Sequence, residues 1–102
     1  MAARTPIACT LGPSDLALQA ERWHRLGARA ALDRVETPQG VRLRFRREPG
    51  VEDELGQLVA VERVCCAFAD WSLHVDGEEI TLELAAKGEA VPVVQGMLSG
   101  LL

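Results

Sequence analysis

Apolar residues recur along this chain at two spacings, and the switches between them mark its elements. Leu16, Ala20, Trp23 and Leu26 follow at helical spacing. Gly12-Pro13-Ser14-Asp15 opens that helix, with Ser14 as its cap and Asp15 suited to the dipole, and Gly27 is the expected stop. From about Ala31 to Thr37, and from Val41 to Arg47, the pattern reads as a hairpin around Pro38-Gln39-Gly40. In its second arm Val41, Leu43 and Phe45 alternate with Arg42, Arg44 and Arg46, so the apolar face packs inward.

Glu48-Pro49-Gly50 breaks the chain, and a second helix is expected from about Val51 to Ala67, with Glu52, Asp53 and Glu54 in its first turn. A second hairpin follows around Asp76-Gly77-Glu78. Trp71, Leu73 and Val75 alternate in one arm, and Ile80, Leu82 and Leu84 in the other. Gly88 and Pro92 introduce a last helix lined by Val94, Met97, Leu98 and Leu101. The order α-β-β-α-β-β-α predicts an α+β fold: a four-stranded, mostly antiparallel sheet with helices packed on one face.

Length and charge narrow the partners. The 102 residues suffice for a single domain, 1–102, with one modest core. A net charge of -4 argues against general nucleic-acid binding and against an anionic membrane surface. The absence of Tyr, with only two Trp and two Phe, removes a stacking platform for single strands. No apolar run approaches the roughly 18 residues of a membrane span, and Pro6, Gly12, Pro13 and Asp15 interrupt any signal-peptide core. A cytoplasmic location is therefore expected. Three cysteines exclude a fully paired disulfide framework, and in a reducing compartment all three are thiols.

The second helix carries the chemical signal. At about 100° per residue, Val51, Leu55, Leu58, Val59, Cys65 and Cys66 share one stripe, within about 80° of Leu55. Glu62 lies near the centre of that stripe, while Arg63 points off it. A carboxylate thus occupies a face that should be apolar, one turn before two adjacent thiols, and Glu62 and Cys66 are neighbours at i and i+4. A buried carboxylate needs a partner. The candidates are a ligand, a metal, an arginine from the sheet or a helix N-terminus. Cysteine is also a common core residue, so simple filling of space competes with any chemistry. Cys9, in the extended lead Ile7-Ala8-Cys9, brings a third sulfur if that lead crosses the second helix. Three thiolates suit a soft ion, although the paired C-x-x-C knuckles of structural zinc sites are missing. His74 falls on the polar alternation of its strand and His24 on a helix flank, so both are expected in solvent. Arg42, Arg44, Arg46 and Arg47 could hold an anion but read better as a solvated face balanced by acids.

Ile7-Ala8-Cys9-Thr10-Leu11, Ala20-Glu21-Arg22-Trp23, Arg42-Leu43-Arg44-Phe45 and Glu62-x-x-Cys65-Cys66-x-Phe68 together resemble a group of small bacterial proteins of about this length. Their specific mark is the Glu-x-x-Cys-Cys helix end. The resemblance implies a link to heavy-metal, especially mercury, resistance, and it singles out Cys9, Glu62, Cys65 and Cys66. Ala67 stands where similar sequences often have Pro.

Three functions follow as expectations. The leading one is a thiol protein binding a soft metal or metalloid ion (Hg, Cu(I), Zn or arsenite) through Cys65, Cys66 and Cys9. Glu62 would oppose thiolate formation until a cation arrives. The second is an enzyme with Cys66 as nucleophile, Glu62 as general acid or base and Cys65 as a second sulfur, as carbon–metal protonolysis would need. The third is a homodimerisation module built on the apolar last helix, Gly96 to Leu102.

Overall fold

The computed structural model describes residues 13–98. They form α1 (Pro13–Ala30), β1 (Ala31–Thr37), β2 (Gly40–Arg46), α2 (Val51–Cys65), β3 (Asp70–Asp76), β4 (Glu79–Ala85) and α3 (Ala90–Gly96). The strands make one sheet in the order β1-β2-β4-β3, antiparallel at every junction. This is the expected α+β architecture.

Register explains which face is buried. Val41 pairs with Leu84, Leu43 with Leu82 and Phe45 with Ile80 across the two central strands. Antiparallel partners point to the same side, so these six side chains form one apolar surface, and all are essentially inaccessible. Trp23, Leu26 and Ala30 from α1, Val51, Leu55, Leu58 and Val59 from α2, and Ala90 and Val94 from α3 close over it as one core. The opposite face stays polar. There Arg44 is hydrogen-bonded to Asp33 and, at 2.9 Å, to Glu79. Arg46 pairs with Glu48, and Arg47, just past β2, pairs with Glu52 in the first turn of α2. Arg44, Arg46 and Arg47 are thus each paired with an acid, in keeping with the solvated-face reading.

Several boundaries differ from the sequence pattern. Proline, with no N–H to lose, opens α1 one residue ahead of Ser14. The helix then runs through Gly27 to Ala30. Leu26 and Ala30 continue the buried stripe, and their packing outweighs the roughly 1 kcal/mol cost of an interior glycine. On that helix Leu16 and Ala20, expected in the core, are exposed, and Gln19 is buried instead. Val75, also expected inside, lies 45% exposed on the outermost strand. The helix α2 stops at Cys65 rather than Ala67. In α3, Met97 turns extended and Leu98 left-handed, so neither continues the helix, and Leu101 lies outside the described residues. Arg34 of β1 donates to the carbonyls of Gln95 and Met97, and Gln95 donates to the Thr37 carbonyl at 2.9 Å, which ties the end of α3 to the edge of the sheet.

Candidate functional site

The end of α2 concentrates the unusual chemistry. Cys66 follows the last helical residue with φ -121° and ψ 58°, and its N–H still donates to the Glu62 carbonyl at 2.7 Å. That bond is an ordinary i→i−4 helical one, so the Cys66 thiol stays one turn beyond the Glu62 side chain and within its reach. Cys66 Sγ lies 3.4 Å from Glu62 Oε1. Both residues are buried, at 4% and 7% exposure, so the contact is shielded from bulk water.

The second carboxylate oxygen is held from the other helix. Trp23 Nε1 donates to Glu62 Oε2 at 2.8 Å. Gln19 Nε2, one turn earlier on α1, lies 3.4 Å from the same oxygen and 3.2 Å from the Leu58 carbonyl. Two of the donors that Glu62 meets are thus neutral, an indole and an amide. Oriented N–H groups of this kind stabilise a buried carboxylate. Oε2 is committed to α1, and Oε1 faces the thiol.

The indole of Trp23 is fixed in turn. It stacks on Trp71 with ring centroids 6.3 Å apart. Arg63 donates to the Trp71 carbonyl from Nη2 at 2.7 Å and from Nε at 3.2 Å. Arg63 leaves the apolar stripe, as its position on the helix requires, and uses its fork on β3. Among the described residues the buried Trp71 Nε1 finds no acceptor. On the α1 side a hollow of about 430 Å³, lined by Leu18, Gln19, Arg22 and Val61 among others, reaches Gln19 from solvent. Gln19 thus borders the hollow and also touches Glu62.

Of the residues singled out by sequence, the structure brings Glu62 and Cys66 together. Cys9 and the side chain of Cys65 lie outside what the structure describes. Both histidines are exposed, as expected. Among the described residues no group of three His, Cys, Asp or Glu side chains stands ready to hold a metal ion, and no helix is long and apolar enough to cross a membrane. Sequence reasoning missed Gln19 and the role of the Trp23 indole. The signal was present: with Trp23 and Leu26 as anchors, Gln19 and Ala30 complete the helical stripe, which sets a lone polar residue on each of two facing helices. A scan against protein-family models gives no match, and searches of curated proteins and of solved structures give none either.

Proposed function

We propose that this is a small cytoplasmic thiol protein that takes a soft metal or metalloid ion, such as Hg(II), Cu(I), Zn(II) or arsenite. Cys66 is the central ligand, and Cys65 and Cys9 are further sulfur donors. The observation that carries the reading is the buried contact of Cys66 Sγ with Glu62 Oε1. A thiol must lose its proton to become a strong ligand. In this site the S–H bond breaks as the sulfur–metal bond forms, and Glu62 Oε1 receives the proton. Trp23 and Gln19 keep the carboxylate pointed at the sulfur throughout. Soft ions prefer such a sulfur to the oxygen and nitrogen ligands of the surface. The Glu62-x-x-Cys65-Cys66 spacing, on which the resemblance to small bacterial proteins rests, fits the same chemistry, and a reducing compartment keeps the thiols available.

Native mass spectrometry of the reduced protein titrated with Hg(II) tests this. The expected result is one ion held per chain, lost on Cys66→Ala. Glu62→Gln keeps the sulfur but lacks the proton acceptor, so it should load more slowly in stopped-flow absorbance. A Cys65→Ala/Cys66→Ala variant that titrates like the unaltered chain overturns the reading.

A further inference from the structure

An open four-stranded sheet has two edges, and here they are treated differently. The phase of the hydrogen bonds decides which backbone groups each edge offers. Arg47 N donates to Glu78 O and Ala86 N to Gln39 O, so the odd-numbered residues of β2 face β4 and the even-numbered ones face β1. Gly40, Arg42 and Arg44 pair with Thr37, Val35 and Asp33. The N–H and C=O groups of Arg34 and Glu36 therefore point away from the sheet. On the opposite edge the outward carbonyl of Trp71 is already taken by Arg63, and β3 carries an acid at each end, Asp70 and Asp76. Among the described residues nothing comparable closes β1 over Arg34 to Glu36, and Val35 beside them is 44% exposed.

We propose that two copies of this chain associate by antiparallel pairing of their β1 edges about a two-fold axis at Val35. Charge selects that register. Centred on Val35, the pairing sets Arg34 opposite Glu36 of the second copy, and Glu36 opposite its Arg34. It also sets Val35 against Val35, and Asp33 against Thr37. Both outward-facing residues then exchange both backbone bonds with their counterparts. Centring on Arg34 apposes two arginines, and centring on Glu36 apposes two glutamates and runs Arg34 into Pro38, which has no N–H. The buried Arg34 Nε, which finds no acceptor among the described residues, gains a carboxylate beside its side chain. The irregularity at Leu32, between Ala31 and Asp33, ends the pairing segment on one side and Pro38 ends it on the other. The two sheets become one continuous sheet with α1, α2 and α3 of both copies on one face. A single strand pair sits at the small end of specific interfaces, so the association is a concentration-dependent equilibrium.

Sedimentation of the reduced full chain over a concentration series tests this, together with amide exchange. The expected result is a monomer–dimer equilibrium in which the Arg34 and Glu36 amides become protected as concentration rises. Val35→Glu places two carboxylates on the axis yet leaves each monomer a glutamate opposite Arg42. Glu36→Lys sets like charges across the pair. Both variants should stay monomeric where the unaltered chain is dimeric, with unchanged far-UV circular dichroism. Three outcomes each overturn the proposal: a monomer up to about 1 mM, a dimer that neither variant disturbs, or one that protects only amides of the last helix or the flanking residues.

Discussion

The Trp23 indole is the residue on which the site's geometry turns. A buried carboxylate can serve a neighbouring thiol only if its other oxygen is held, and the 2.8 Å bond from Nε1 holds it. Trp23→Phe keeps a ring against Trp71 and removes that one donor. Loss of a hydrogen bond to a buried charged group should lower stability by about 2 kcal/mol in urea unfolding followed by circular dichroism. In the background of Glu62→Gln the same substitution should cost less, because the two residues act as a pair. Equal costs in both backgrounds would mean that the indole only fills space. Gln19 adds a weaker contact at 3.4 Å and also lines the hollow on α1.

At the scale of elements, two glycines separate local preference from tertiary contact. Gly56 sits exposed in the middle of α2, and an added Cβ there meets nothing within 4 Å. Gly56→Ala should raise stability by about 0.5–1 kcal/mol, since only the helical preference of the backbone is at stake. Gly40, first in β2, is the opposite case. A Cβ there would stand 2.0 Å from the Leu84 carbonyl oxygen and 2.9 Å from Val94 Cγ1. Gly40→Ala must push β2 from β4 or displace α3, so its unfolding midpoint should fall, while that of Gly56→Ala rises. A thermal melt of the two variants side by side decides the point. Gly50 belongs to neither case: at φ 84° it makes the left-handed entry to α2 that side-chain-bearing residues resist.

Over the whole molecule, stability depends on a sheet whose one face is sealed and whose other is held by ion pairs. The hydrogen bond from Arg44 holds the Asp33 carboxyl below the usual aspartate range; desolvation opposes it, and the attraction of Arg44 and Arg42 adds to the lowering. A carboxyl depressed in the folded state stabilises fully above the ordinary value of about 3.9 and loses that contribution as pH falls through its folded value. Asp33→Asn should therefore be less stable than the unaltered chain at pH 6, and the gap should close on acidification below that value. Side-chain exposures of 41% for Arg44 and 36% for Asp33 keep the effect modest and sensitive to salt. A gap that is constant from pH 6 to strongly acid conditions would assign the loss to packing instead. Among the described residues no helix packs on this polar face.

What the sequence determined was the order of elements, the two hairpins and the inward rows of β2 and β4. Those depend on periods of two and 3.6 residues, which local chemistry enforces on its own. It also placed Glu62 and Cys66 side by side, because i and i+4 neighbours on a helix need no tertiary information. Only the folded structure decided which residues answer Glu62. Gln19 and Trp23 reach it from 43 and 39 positions away, through the docking of α1 on α2. The same docking turned Leu16 outward and carried α1 past Gly27. Packing between elements sets a helix's rotation about its axis, and a single helix's pattern leaves that rotation ambiguous by about a residue.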